Sequence, residues 1–214
     1  MYMSQVEIDI NNRQKIKDLT HLGAYHNWVE QSFPEEFSQN LRSRKLWRID
    51  QLAGKHYLLI VSESKPSITR LERYGVENSG KTQPYDQFLE SIHEGMKAKF
   101  KVTLNPVFSQ YQSTSERGRV IPLISENDQM EYLLRRSEKN GFHLSAEDFV
   151  ITNKGFKILK KSNQRALRLS SATYQGELVV SDADLFRKTL AEGIGKKKAF
   201  GFGLMTIIPE KIYE

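Results

Sequence analysis

The order of predicted strands and helices repeats once along the chain, and this repeat constrains the fold more than any other feature of the sequence. Val6, Ile8 and Ile10 alternate with polar residues, which predicts a half-buried strand over residues 2–11. The elements predicted after it are a helix over residues 19–32, strands over 44–50 and 56–62, a short helix over 66–74 and a strand over 85–92. Their order is β-α-β-β-α-β.

The second half of the chain gives the same order. Its predicted elements are a strand over residues 100–108, a helix from Ser125 to Asn140, strands over 149–159 and 166–180, a helix capped at Ser181 and a strand over 199–208. We therefore predict an α+β fold of two tandem ferredoxin-like (RRM-like, βαββαβ) domains with antiparallel sheets, spanning residues 1–94 and 95–214. Because this fold serves many unrelated functions, it identifies none of them.

The composition excludes several kinds of site. The absence of cysteine excludes disulfide scaffolds, thiolate metal ligands and cysteine nucleophiles. The five histidines lack a metal-ligand spacing such as H-E-x-x-H, so we predict neither a metal nor another cofactor. Acidic residues interrupt the first ten positions, and no apolar run approaches the ~20 residues of a membrane helix. We therefore predict a cytoplasmic protein with no membrane partner.

Residues 193–209 combine glycines, lysines and phenylalanines at high density. Phosphate-binding loops run from a strand through glycines to a helix, whereas the predicted order here is helix, glycines, strand, which disfavours a nucleotide-binding loop. Gly193 is typical of a helix C-terminus. Gly201 and Gly203, two residues apart in a predicted strand, indicate the close approach of a ligand or another backbone. The clustered cations that attract phosphate here are Lys196, Lys197 and Lys198.

A second candidate interface is the segment between residues 154 and 176, which holds six cations and no acid. A short charge run is often only a solvated hairpin, but exposed surfaces usually mix the two signs. A hairpin of one sign is suited to lie along a phosphate backbone, so we predict that this segment binds nucleic acid. Its cations are Lys154, Lys157, Lys160, Lys161, Arg165 and Arg168.

Histidine is the side chain that most often transfers protons near neutral pH, and spacing does not choose among the five in this chain. His26 shares a predicted helical face with Leu22 and Val29, which is more typical of a core or boundary residue than of a catalytic group. Glu30 lies four residues after His26 and can pair with it, as happens in many helices.

The segment from Glu192 to Pro209 resembles the glycine-rich signature of Cas6-type CRISPR RNA endonucleases, specifically Cas6e (also called CasE or Cse3) of type I-E systems. The spacing His26-x6-Phe33-Pro34 is similar to the helix that carries the family's catalytic histidine. Supporting similarities occur in residues 1–8, 100–106 and 119–124, so the resemblance spans the whole chain.

The resemblance implies a metal-independent endoribonuclease. Such proteins bind the stem-loop of the CRISPR repeat in precursor crRNA and cleave at the 3′ base of the stem by attack of a ribose 2′-OH. The products carry a 2′,3′-cyclic phosphate and a 5′-OH, and the protein stays with the crRNA among the other subunits of Cascade. The implied partners are therefore precursor and mature crRNA and the Cascade subunits.

The resemblance also implies roles for single residues. His26 is the general acid or base, the basic segment contacts the repeat stem, and the glycine-rich segment approaches the RNA backbone. The family often has a tyrosine three residues before the histidine, where this chain has Gly23, so Tyr25 becomes the candidate for the second catalytic role. The missing tyrosine leaves open a subunit that binds repeat RNA without cutting it. A nucleotide-binding sensor domain is a third reading, which the order of elements around the glycines opposes.

Overall fold

A computed structural model describes residues 1–111, 118–160 and 165–210. The strands are β1 (Tyr2–Ile8), β2 (Lys45–Leu52), β3 (Lys55–Ser62), β4 (Lys81–Pro84), β5 (Lys97–Leu104), β6 (Val107–Gln110), β7 (Arg119–Pro122), β8 (Phe142–His143), β9 (Phe149–Leu159), β10 (Leu167–Val180) and β11 (Met205–Pro209). The α-helices are α1 (Leu22–Gln31), α2 (Pro34–Ser38), α3 (Ile68–Leu71), α4 (Asp86–Glu90), α5 (Glu126–Ser137) and α6 (Ala183–Glu192). Short 3-10 turns cover Glu72–Tyr74, Glu138–Asn140 and Lys198–Phe200.

The first half forms a four-stranded sheet in the order β2-β3-β1-β4, with every neighbouring pair antiparallel. Alternate residues of β1, Val6 and Ile8, are buried with Leu58 and Ile60 of β3 in one core cluster, which also contains Trp28 of α1. The period-two alternation therefore places one face of the sheet against the helix. The central strands are adjacent to one another and β4 is an edge, as the β-α-β-β-α-β order requires.

The second half repeats this arrangement. Its sheet has the order β11-β5-β10-β8, and β9 also pairs with β10, again with antiparallel neighbours throughout. Phe186 and Leu190 of α6 and Leu133 of α5 are buried in its core. Strands β6 and β7 form a separate two-stranded sheet. The predicted α+β fold class with antiparallel sheets is confirmed.

The strand predicted over residues 85–92 is wrong. The edge strand is β4, and the predicted segment contains helix α4 instead. Tyr85, Leu89 and Ile92 are buried, and their spacing of four and three residues is that of one helical face. Strand β4 has the sequence Lys-Thr-Gln-Pro, whose polar side chains give no hydrophobic alternation, so its pairing with β1 rests on the backbone.

The strand predicted over residues 199–208 begins later, at Met205. Residues 198–200 form a 3-10 turn, and the next four residues are buried but irregular. Gly201 has φ 78° and Gly203 has φ 88°, which is left-handed backbone that cannot continue a strand ladder. The glycines therefore form the approach to β11 rather than part of it.

Strand β2 of the first half packs against residues 199–206 of the second. Trp47 Nε1 donates a hydrogen bond to the Ala199 carbonyl at 2.9 Å. The guanidinium of Arg48 is buried and donates to the carbonyls of Lys101 at 2.6 Å and Leu204 at 2.8 Å. These contacts hold the two sheets side by side and bring α1 close to the glycine-rich segment. Within the described residues, no helix has the length and apolar character needed to cross a bilayer.

Candidate active site and RNA interface

His26 lies where the two halves of the protein meet. Helix α1 begins after His21, whose ring nitrogen accepts a hydrogen bond from the Ala24 amide at 3.3 Å. Trp28 and Val29 turn into the core, which leaves His26 half-buried on the neighbouring face. The His26 ring packs edge-on against Phe200 of the 3-10 turn, with 5.1 Å between ring centroids. His26, the candidate catalytic residue of the first half, is thus in contact with the glycine-rich segment of the second half.

A chain of charged groups runs inward from His26. Its Nδ1 lies 3.9 Å from Oε1 of Glu30, and the other oxygen of Glu30 lies 3.5 Å from Nζ of Lys45. Lys45 has a side chain that is 1% exposed, and its Nζ donates to Oε2 of Glu36 at 2.6 Å. A buried lysine between two carboxylates fixes the position of both, so Glu30 is held beside His26 from the protein side.

The inner end of this chain is Glu36. Burial opposes ionisation of its carboxyl group, but hydrogen bonds from Lys45, Ser43 and Ser64 outweigh that effect and lower its pKa to about 2. Glu36 is therefore charged at every physiological pH and neutralises Lys45. Lys45 therefore has Glu36 as its nearer carboxylate partner, at 2.6 Å, and Glu30 as its more distant one, at 3.5 Å, on the side toward His26.

Tyr25 is adjacent to His26 in sequence but packs into the hydrophobic layer. Its ring stacks on Trp47 at 6.0 Å and is tilted against Trp28 at 6.4 Å. Burial raises the pKa of its phenol, which keeps the group neutral. Tyr25 therefore packs in the hydrophobic layer, and its part in catalysis beside His26 stays a prediction.

Gly23 lies against the basic segment. A Cβ atom built at residue 23 would come within 2.5 Å of the Lys160 carbonyl oxygen, at the end of β9. A distance under 3.0 Å to a backbone atom requires the backbone to move. The position where the family often has a tyrosine is therefore filled here by the chain itself, and Lys160 lies at the N-terminal end of α1.

The basic segment does not present all its cations on one face. Lys154 forms a salt bridge with Glu126 of α5, and Lys157 turns inward over the ring of Phe202 at 5.6 Å. Burial, together with the charge of Arg48, lowers the pKa of Lys157. The exposed cations of the described segment are Lys154, which is paired with Glu126, and Lys160, Arg165 and Arg168. Lys161, which the sequence also predicts as an RNA contact, lies outside the described residues. The single-sign surface expected from the sequence is thus partly neutralised and partly buried.

The glycines of the glycine-rich segment pack against other residues of the protein, in the space that a side chain would otherwise occupy. A Cβ at Gly201 would lie 2.6 Å from the Trp47 ring, and one at Gly203 would lie 2.5 Å from the Ile194 carbonyl. Both glycines are buried, so the clearance predicted for an RNA backbone is occupied by Trp47 and Ile194. Glycine is required at residue 201 because the Trp47 ring of the first half packs there, and at residue 203 because the Ile194 backbone does.

The three lysines of this segment have different surroundings. Lys196 and Lys197 are exposed, and Nζ of Lys196 lies 3.3 Å from the Ser109 hydroxyl. Lys198 donates to the Glu192 carbonyl at 3.0 Å, and its burial lowers its pKa. Lys198 also lines a cleft of about 740 Å³ between the halves, together with Arg42 and Arg44.

His26 opens onto a smaller cleft that adjoins this one. The smaller cleft has a volume of about 330 Å³. Glu30, Arg42 and Ser43 line both clefts, so His26 faces a continuous surface with cations on its rim. Within residues 1–111, 118–160 and 165–210, no three histidine or carboxylate side chains are grouped as a metal site would need.

Comparison with known proteins identifies the family. A model described as "CRISPR associated protein" matches residues 1–209. The chain belongs to the CRISPR-associated protein family. It is 21% identical over 220 residues to the CRISPR-associated endoribonuclease Cse3 of Thermus thermophilus, with 98% of this chain and 100% of the relative covered.

Solved structures of CRISPR-associated proteins share the fold. Thermus thermophilus Cse3 bound to an RNA representing a pre-cleavage complex has a TM-score of 0.78 and 23% identity, covering 97% of this chain and 98% of that one. A chain of a CRISPR RNA-guided surveillance complex, pre-nicking, has a TM-score of 0.71 and 21% identity, covering 97% and 99%. The predicted resemblance to Cas6e is confirmed.

Several residues of this CRISPR-associated site were not found from the sequence. Lys45 and Arg48 are cations inside the buried strand β2, and the charge they place in the apolar run Lys-Leu-Trp-Arg-Ile was a signal that each has a partner. Phe200 entered the sequence analysis only as one of the phenylalanines of residues 193–209. Arg42, which lines both clefts beside His26, gives no signal in a polar loop.

Proposed function

We propose that this chain is the endoribonuclease that processes precursor crRNA by cutting at the 3′ base of the repeat stem. The observation that carries the proposal is His26, held by Glu30 and Phe200 at a cation-rimmed cleft where both halves of the protein meet. The names of the Cse3 relatives, an endoribonuclease and a complex with pre-cleavage RNA, support the same reaction. The partner RNA is the CRISPR repeat stem-loop.

The chemistry needs proton transfer and positioning. The 2′-oxygen of the nucleotide before the cut loses its proton and bonds to phosphorus, while the bond from phosphorus to the departing 5′-oxygen breaks and that oxygen gains a proton. The products are a 2′,3′-cyclic phosphate and a 5′-OH. His26 serves as the general acid or base of this step. Arg42, which lines the His26 cleft, and Lys160, whose backbone lies beside Gly23 at the start of α1, are the cations that we propose for stabilising the phosphorane charge.

Replacing His26 with alanine tests the site. We expect the variant to bind the cognate repeat hairpin with near wild-type affinity and to cut it at least about 100-fold more slowly, since general acid–base catalysis contributes roughly 10²–10⁴-fold. The measurement is single-turnover cleavage in EDTA with the product ends mapped. A variant that cuts at the wild-type rate would remove His26 from the mechanism.

The nucleophile has its own test. A substrate with a 2′-deoxy nucleotide immediately before the cut should bind and remain intact. Cleavage of that substrate, or cleavage that requires Mg²⁺, would contradict attack by the 2′-OH.

The second candidate function is a subunit that binds repeat RNA without cutting it. The contact between Gly23 and the Lys160 carbonyl supports this candidate, because it excludes a side chain from the position of the family's tyrosine. Tight hairpin binding with no product after long incubation would favour it.

In either case we propose that the bound crRNA carries the protein into Cascade, as the surveillance-complex relative suggests. Retention of the cleaved hairpin on size-exclusion chromatography measures this step.

A further inference from the structure

An exposed phenylalanine divides two shallow clefts on the surface beside His26. Phe37 of α2 is 57% exposed. On one side it lines the His26 cleft of about 330 Å³, and on the other a cleft of about 280 Å³ with Arg70 and Arg73. We call the two clefts and the ring between them the Phe37 groove.

Exposure of a single apolar side chain is ordinary, so the position of Phe37 is what carries the argument. The ring has arginine on both sides, with Arg42 in the first cleft and Arg70 and Arg73 in the second. An aromatic face between cations is the arrangement on which single-stranded nucleic acid binds, with bases on the ring and phosphates on the cations.

The charges of the groove favour a polyanion. Arg73 is held along the groove by a hydrogen bond of 2.6 Å to Oε1 of Gln31 and by the Tyr74 ring 5.2 Å away. The carboxylate of Glu30 lines the first cleft, but one of its oxygens lies 3.5 Å from Nζ of Lys45. The arginines are therefore only partly offset by acid.

Helix α1 sets the direction of the groove. The helix begins at Leu22, and its second residue, Gly23, lies against Lys160 of the basic segment. His26 lies within the first two turns, and Phe37 follows beyond the C-terminal end. With a rise of about 1.5 Å per residue, the helix advances by roughly 12 Å from Gly23 to Gln31, its last residue. RNA held as a stem on the basic segment and cut at His26 would continue toward Phe37.

We propose that the Phe37 groove binds the single-stranded RNA immediately 3′ of the cut, with one base stacked on Phe37 and phosphates beside Arg70 and Arg73. The proposal rests on the function proposed above. It gives the groove a task in the reaction: the strand that leaves with the 5′-OH is held on the far side of His26 from the stem, which keeps the departing oxygen in line with the attacking one. Because every base has a flat face, this contact is indifferent to sequence.

The test compares two hairpins, one ending a single nucleotide 3′ of the cut and one extended there by roughly six nucleotides, about the length needed to pass one stacking platform. Binding is measured with a 2′-deoxy nucleotide before the cut, so that affinity is read without cleavage, and cleavage is measured with the all-ribose forms. Stacking of one base corresponds to roughly five- to 150-fold in affinity. We expect wild-type protein to prefer the extended hairpin by an amount in that range.

Phe37→Ala should bring the preference close to one and leave the short hairpin unaffected. An Arg70→Ala/Arg73→Ala variant should reduce it as well and make it less dependent on salt. Phe108→Ala is the matched control, since Phe108 is an exposed phenylalanine, 44% exposed, on β6 away from the groove. It should keep the wild-type preference. Circular dichroism of each variant verifies the fold.

The outcomes separate this proposal from the function on which it rests. A wild-type protein that binds both hairpins with equal affinity, or a Phe37→Ala variant that weakens binding of both equally, overturns the groove and leaves the endoribonuclease intact. Loss of cleavage with a preserved, Phe37-dependent preference in binding would support the groove and overturn the reaction instead.

Discussion

Lys45 shows how a single buried charge organises this site. Its ammonium group is enclosed by the carboxylates of Glu30 and Glu36 and lies 4.9 Å from the centre of the Phe33 ring. Removing one member of a buried ion pair leaves the other charge without compensation, which is more costly than losing an exposed pair. The residue that keeps Glu30 beside His26 is therefore also one of those on which the fold depends.

We predict that Lys45→Met lowers the free energy of unfolding by roughly 3–5 kcal/mol. Arg44→Ala, which breaks the exposed pair with Glu192, should cost less than about 1 kcal/mol. Urea denaturation followed by fluorescence measures both. Adding Glu36→Gln to Lys45→Met should recover part of the loss, and no recovery would mean that the methionine fails for reasons of shape.

Glu36 gives the protein a dependence on acid. Its folded-state pKa of about 2 lies below the ordinary carboxyl value of 4.5, so its stabilisation is complete above the ordinary value and is lost as the pH falls toward 2. The predicted loss is about 3 kcal/mol over that interval. Urea denaturation at a series of pH values should show that Glu36→Gln flattens this part of the stability profile. An unchanged slope would place the acid dependence elsewhere.

At the scale of the elements, apolar periodicity predicted the strands and helices whose positions are set by the burial of one face. Strands β1, β3 and β10 and helices α1, α5 and α6 were predicted close to their observed places, because one face of each is buried. Strand β9 was also predicted in place, although only its end residues Phe149 and Leu159 are buried. Strand β4 was missed since an edge held by backbone pairing needs no apolar alternation. Helix α4 was mistaken for a strand although its apolar spacing was helical.

The glycine-rich approach to β11 offers a test at this scale. We predict that Gly201→Ala destabilises the protein by at least about 1–3 kcal/mol, because left-handed backbone is costly for alanine and the new Cβ meets Trp47. Gly54→Ala is the control, since Gly54 has φ 76° and open space around its missing Cβ. Thermal unfolding of both variants isolates the contact with Trp47. Equal losses would show that backbone conformation alone requires glycine at residue 201.

For the whole molecule, the sequence indicated the fold and the histidine but not how the halves join. Within the part of the chain that the structure describes, Arg48 makes five hydrogen bonds, to Asp50 in its own strand and to Lys101, Leu204 and Thr206 across the junction. The partners across the junction lie 53 to 158 residues away in the chain, beyond the reach of any local pattern. The inward turn of Lys157 was hidden for the same reason, because the face it occupies depends on this junction.

The contact between Gly23 and Lys160 limits how this protein can change. Placing a tyrosine at residue 23 changes a single codon. However, already the Cβ atom of that side chain would collide with the Lys160 carbonyl oxygen at the end of β9. A lineage or an engineer would have to reshape that hairpin end before, or together with, the helix. The basic segment and the start of α1 are thus expected to vary as one unit between relatives.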